Sequence, residues 1–241
     1  GKTALVRVDF NVPMEGGRVT DDTRLRVALP TIQRLRDAGA KVALLAHFDR
    51  PKGQRVPSMS LKPIVQPLEA LLGAPVRFAD DCIGPDAVEA IRDLDAGGVV
   101  LLENVRFDPR ETSKLEDERA EFADALAALT ADNGAFVSDG FGVVHREQAS
   151  VYDVAKKLPH YAGGLVETEL EVLKKVSDEP AHPYAVILGG SKVSDKLGVI
   201  EALAPKVDNL IIGGGMCFTF LAAQGYEVGG SLLQEDMIDT C

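Results

Sequence analysis

The 241-residue chain carries 26 Lys and Arg against 37 Asp and Glu, a net charge of −11. That excludes a general affinity for nucleic acid or anionic membrane, so any anion site must be a local basic cluster on an acidic body. Hydrophobic content of 46% and charged content of 26% describe a soluble globular protein of one large or two modest domains. No apolar run approaches a membrane span, and the first residues, Gly1-Lys2-Thr3-Ala4, lack a signal-peptide core, so a cytoplasmic location is expected. Cys82, Cys217 and Cys241 are far apart with no Cys-x-x-Cys spacing. That suits reduced thiols and argues for neither a zinc site nor a disulfide framework.

In chain order, Leu5-Val6-Arg7-Val8-Asp9-Phe10 has the β-branched and aromatic content of a strand. On a strand Asp9 and Asn11 share a face. They either meet a partner or ligand there, or Asp9 caps a nearby helix while Asn11 shapes the turn before Pro13. Gly16-Gly17 marks a turn, and a helix pattern covers 23–38, with Leu25, Leu29, Ile32 and Leu35 on one face and Gly39 as its stop. A strand at 41–46 ends at His47, and a Pro/Gly-rich loop leads to a helix at 61–72 closed by Gly73. A short strand at 76–78, a helix at 85–94, a strand at 99–102, an acidic helix at 114–130 and a strand at 135–138 follow. Regular alternation of near-continuous apolar strands with helices predicts an α/β fold, its parallel sheet covered by helices on both faces.

In such a sheet, ligands bind beyond the carboxyl ends of the strands. There the sequence puts Asp9 and Asn11, His47 and Arg50, Asn104 and Arg106, then His145 and Arg146, while Arg24 opens the first helix. A single Arg reads as a solvated surface pair. Four at one edge of an acidic protein predict a site for a small polyanion, because guanidinium groups suit bidentate contact with phosphate or carboxylate oxygens. His160 and His182 read as surface residues in Pro-flanked segments, no histidines have metal-pair spacing, and no Ser or Cys lies in a nucleophile elbow.

The character changes after Lys157, where Leu158-Pro159 and Gly163-Gly164 read as a boundary. Helical periodicity at 165–177 describes either a stiff connector or ordinary core packing. A buried strand at 184–188 then enters Gly189-Gly190-Ser191-Lys192-Val193-Ser194-Asp195-Lys196, read as opening a helix with Lys192 and Lys196 on one face. A second strand at 207–212 enters Gly213-Gly214-Gly215-Met216 and a helix. Either turn alone is a tight turn without a ligand. Two together suggest a nucleotide lobe, because glycines admit phosphate close to the backbone and helix starts favour anions.

The runs VRVDFNVP, DDTR, AHFDRPKG, LLENVRF, SDGFG-VVHR, ILGGSKVSDK and IIGGGMCFTF, in this order, resemble the phosphoglycerate kinase family over essentially the whole chain. The resemblance implies two Rossmann-like lobes, divided here as a substrate domain at 1–163, an interdomain helix at 164–179 and the start of a nucleotide domain at 180–241. It implies that Asp9 and Asn11 contact the glycerate, and that Arg24, His47, Arg50, Arg106 and Arg146 form the basic patch around the substrate phosphate and the transferring group. Gly190, Ser191, Lys192, Lys196, Gly214 and Gly215 are implied at the nucleotide, with Arg24 and Lys196 catalytic. The implied reaction is reversible phosphoryl transfer between 1,3-bisphosphoglycerate and ADP, giving 3-phosphoglycerate and ATP. Magnesium is expected with the nucleotide, its protein ligand in family segments beyond Cys241.

The implied protein is a monomer in which hinge closure excludes water and positive side chains compensate the moving charge. No general base of perturbed pKa is expected, because the acceptor oxygen is already ionised. The pattern departs from the family at Phe48-Asp49, where Leu-Gly is usual, and at Glu147-Gln148, where a basic residue or His is common. Because the later family segments are absent, the chain alone is expected to have little turnover. The alternative from another class is a non-catalytic module that binds a phosphorylated metabolite. A dinucleotide oxidoreductase is disfavoured because no Gly-x-Gly-x-x-Gly follows the first strand.

Overall fold

The first strand, β1 (Thr3–Arg7), is buried along its whole length. The computed structural model describes residues 1–241, the side chain of Asp132 excepted. A two-residue hairpin follows, β2 (Met14–Glu15) with β3 (Arg18–Val19), turning through Gly16-Gly17. Next come α1 (Thr23–Asp37), β4 (Lys41–Leu45), α2 (Val65–Leu72), β5 (Val76–Ala79), α3 (Pro85–Arg92), β6 (Val99–Leu102), α4 (Glu116–Ala128), β7 (Ala135–Ser138), β8 (His160–Ala162) and α5 (Gly164–Ser177). The six main strands pair in parallel in the order β5-β6-β4-β1-β7-β8. The alternation of strand and helix is as the apolar pattern predicts, and the strand at 99–102 and the strand at 135–138 match residue for residue.

Successive residues of β1 serve opposite faces of the sheet. Ala4 and Val6 join a core with Leu25, Ala28 and Ile32 of α1 and Leu68 of α2. Leu5 joins the other core with Ala87 and Ile91 of α3 and Phe122, Ala123 and Leu126 of α4. Both faces are therefore covered, as a parallel sheet requires. Cys82 lies in the second core, 4% exposed, and burial pushes its thiol well above the ordinary range.

Two features of this region depart from the expectation. His160 sits on β8, which pairs with β7 through Phe136, rather than in a connecting loop. All three residues of β8 are exposed, so no apolar signal marks it. Asp9 and Asn11 lie beyond the end of β1, so the shared face expected of a strand does not apply to them.

The chain divides into two compact units, Gly1–Glu169 and Leu170–Cys241, the division falling within α5. The second unit holds the parallel pair β9 (Ala185–Gly189) and β10 (Asn209–Gly213), with α6 (Leu197–Leu203) and α7 (Cys217–Ala223). Among the described residues, no helix is long and apolar enough to cross a membrane.

Candidate functional site

In the first unit, β1 leads towards one edge of the sheet and β7 towards the other, which makes the crevice between their carboxyl ends the topological switch point. The loops beyond these strands approach closely: a Cβ added at Gly142 would lie 2.7 Å from Asp9 Oδ2. Asp9 receives Arg24 Nη1 on both carboxylate oxygens at 3.0 Å, and its Oδ1 also accepts the Asn11 N–H at 3.2 Å. Arg24 stands in the first turn of α1 and is exposed. Asp9 is therefore an ion-pair partner of the helix's first turn, and the N-cap position is held by Asp22.

Asn11 Oδ1 accepts the Asp49 N–H at 3.0 Å, and Arg106 Nη1 donates to the Asp49 carbonyl at 2.8 Å. Both backbone groups of Asp49 are thus held, and its φ is +52°. Few non-glycine residues adopt that left-handed conformation, which gives a physical reason for glycine as the usual family residue there. Asp49, Asn11, Phe48 and Arg24 share the wall of an open cavity of about 610 Å³.

A second cavity, of about 380 Å³, is lined by Arg50, Lys52, Arg106, Thr112, Arg146 and Gln148. Its guanidinium groups come from three loops, those after β4, β6 and β7. Asn104 shapes two of them. It is fully buried, its amide donating to the carbonyls of Phe48 and Met59 and its Oδ1 accepting from the N–H groups of Phe48 and Arg106. Arg106 Nε and Gln148 Oε1 are enclosed without a protein partner. Burial, with Arg146 beside it, lowers the Arg106 pKa, so an anion between these groups would relieve their repulsion. Of the two residues of the second family departure, Glu147 is exposed and Gln148 is buried.

His47 is not part of the positive charge. It is 4% exposed, and burial together with Arg7, Arg106, Arg146 and Arg24 drives its pKa down to about 2. The imidazole is neutral, which corrects its place among the basic side chains, and at that pKa it is too weak a base to take a proton near neutrality.

Beneath it lies a polar network that sequence reasoning missed. Arg7, fully buried on β1, donates through Nη2 to His47 Nδ1 at 3.1 Å, through Nη1 to the Val8 carbonyl and through Nε to Ser150 Oγ at 2.9 Å. The Ser150 hydroxyl donates to buried Glu111 Oε1 at 2.7 Å, and Glu111 Oε2 accepts the Ser150 N–H. Burial lowers the Arg7 pKa to about 10 and raises that of Glu111. The available signal was one arginine in an otherwise apolar strand. His145 is exposed and lines neither cavity.

The second unit brings its two glycine turns against each other. The Met216 N–H donates to the Gly190 carbonyl, and a Cβ on Gly214, whose φ is +71°, would lie 2.7 Å from that carbonyl oxygen. Gly215 packs against Ser191. Lys196 has its stem beside Gly190, but α6 begins only at Leu197, and Lys196 is its N-terminal flanking residue. Lys192 is exposed in the preceding loop. The two lysines therefore do not share a helical face. Irregular backbone at 191–193 and a turn at 194–196 follow the Gly189-Gly190 pair, which delays the helix. Among the described residues, no group of three or more His, Cys, Asp or Glu could hold a metal ion.

The phosphoglycerate kinase family model matches residues 1–241. The phosphoglycerate kinase of Corynebacterium jeikeium is 68% identical over 241 residues, which cover all of this chain and 60% of that protein. That of Rhodococcus jostii is 61% identical with the same coverage. Among solved structures, phosphoglycerate kinase from Coxiella burnetii aligns with a TM-score of 0.82 at 36% identity, covering 99% of this chain and 58% of that one. The chain thus spans about 60% of the length of the curated relatives it matches.

Proposed function

The chain belongs to the phosphoglycerate kinase family, and from that premise we propose that its first unit holds the phosphoglycerate of a reversible phosphoryl transfer between 1,3-bisphosphoglycerate and ADP. One observation carries the reading: Arg50, Arg106 and Arg146 line one cavity from three separate loops of an acidic protein. Arg106 Nε is enclosed there without a protein acceptor. A phosphate would supply one and relieve the mutual repulsion of the arginines.

Asp9 and Asn11 would meet the glycerate end of the substrate. Arg24, exposed beside them, would exchange its Asp9 carboxylate for an oxygen of the transferring group. Gly190, Ser191, Lys192, Lys196, Gly214 and Gly215 are assigned to the nucleotide, and Lys196 with Arg24 to the phosphoryl oxygens. Phosphoryl transfer needs positioning and charge compensation rather than a strong base. A neutral His47 agrees with that. Magnesium enters with ATP or ADP as part of that substrate. The reading includes a cytoplasmic, monomeric protein.

Calorimetric titration of 3-phosphoglycerate into this chain tests the reading. Saturable binding that weakens with added salt is expected. Arg106→Ala should weaken it by roughly 10- to 100-fold, the worth of one charge-assisted hydrogen bond. No heat from the unaltered chain, or unchanged affinity in the variant, would refute it. A parallel ADP titration separates a kinase from a module that holds only the phosphorylated metabolite.

A further inference from the structure

An arginine side chain has five N–H donors and no acceptor. His47 Nδ1, 3.1 Å from Arg7 Nη2, must therefore present its lone pair, and the single proton of the neutral ring belongs on Nε2. Arg7 cannot easily turn away. Its Nη1 is held by the Val8 carbonyl and its Nε by Ser150 Oγ, which is itself fixed by Glu111. Among the described residues no hydrogen bond uses His47 Nε2, and that atom is not among the enclosed groups left without a partner.

We propose that Arg7 is a positioning residue that locks His47 as the Nε2–H tautomer, so that the imidazole meets an anionic oxygen as a neutral donor whose state does not follow pH. The nature of the ligand rests on the function proposed above; the tautomer does not. The charges that act on the ring are those of Arg7 of β1, Arg24 of α1, Arg106 after β6 and Arg146 after β7, all cationic; of the carboxylates that act on Arg7, Asp9 is paired with Arg24 and Glu111 holds Ser150. Each of the four arginines opposes a second proton. Histidine normally changes charge between about pH 5 and 8. Here a donor is supplied throughout that range by geometry.

Nitrogen NMR of the whole chain, uniformly ¹⁵N-labelled so that both the histidine rings and the arginine amides are read, tests the lock. For His47 we expect an unprotonated Nδ1 and a protonated Nε2, constant from about pH 5 to 8. Inorganic sulfate should shift Nε2 more than Nδ1. In Arg7→Met the two resonances should move towards each other as the tautomers mix, and Arg7→Lys, which keeps a donor, should restore the original pair. A proton on Nδ1, or a His47 titration within that pH range, would overturn the proposal in the unaltered chain, whether or not Arg7→Met folds. So would a folded Arg7→Met with the original signature, or sulfate that shifts the Arg106 and Arg146 amides but leaves Nε2 unmoved. If 3-phosphoglycerate fails to bind while the tautomer and the sulfate response are as expected, the assigned substrate is wrong and the lock stands.

Discussion

The two parallel strand pairs at the centres of the two units are made of similar residues and live in different surroundings. Every residue of β1 is buried, with helices over both faces of its sheet. In this chain, which spans about 60% of the length of its curated relatives, exposed and half-buried residues alternate in β9, leaving Ile187 74% exposed, and Ile211 of β10 is 50% exposed. Both are Val/Ile/Leu-rich and both pair in parallel. Burial is conferred by what covers a strand and cannot be read from its composition. Local stability should follow coverage.

Breaking a buried partner should show the largest contrast. In the first unit Arg119 and Asp153 form an ion pair, 7% and 2% exposed. Asp153→Ala strands a buried guanidinium and should cost about 3–5 kcal/mol in urea unfolding. In the second unit the exposed Asp208 carboxylate is hydrogen-bonded to the His182 ring and accepts the Tyr184 N–H, and Asp208→Ala should cost no more than about 1 kcal/mol on the same curve. Equal effects would dissolve the comparison.

Core truncation comes next. Leu44→Ala, at a fully buried position of β4, should cost about 2–5 kcal/mol, whereas Ile187→Ala should stay within about 0.5 kcal/mol. Amide hydrogen exchange sharpens the same point without mutation: β1, β4 and β6 should be the slowest to exchange, and β9 and β10 much faster. Equal protection would show that β9 and β10 are as stable as the covered sheet.

Two titrations inside the first unit should have opposite effects, each spread over a range of pH. The folded chain holds His47 at a pKa of about 2, against about 6.5 unfolded. The unfolded chain therefore binds the extra proton between those values, and stability falls as pH drops below about 6.5. Asp139 behaves in the reverse sense. Burial raises its pKa despite the hydrogen bond its Oδ1 accepts from the Leu165 N–H, and its Oδ2 has no partner. The folded state takes its proton first, so stability declines as pH rises from the ordinary carboxylate range through the raised value. Melts of His47→Gln and Asp139→Asn across that range should each lose one of these slopes. An unchanged slope in either variant would show that the group does not titrate as described.

Much of the first unit was legible because its strands and helices differ in apolar period. The helix faces of Leu25 and Ile32 and the continuous run Val99-Val100-Leu101-Leu102 were readable for that reason. The short elements were not. Two-residue strands such as Met14–Glu15 have no period, and His160-Tyr161-Ala162 is a strand only because it can pair with β7. At the site, residues at strand ends could be found, since topology alone brings them to one edge. The layer below could not. Arg7, Glu111 and Ser150 lie up to 143 positions apart, and only the folded chain makes them partners. Charge was also misjudged: the sequence makes His47 a base, and burial makes it neutral.

Cys82 gives the molecule its own clock. Its thiol is enclosed and held in the unreactive protonated form, while Cys217 and Cys241 are only half-buried. A thiol-directed reagent should modify those two first, Cys241 slowed by the burial that raises its thiol pKa, and reach Cys82 only when the first unit opens. The rate at which the third label appears on the intact mass would then count openings of the covered sheet directly, in a chain that needs neither a dye nor an engineered residue.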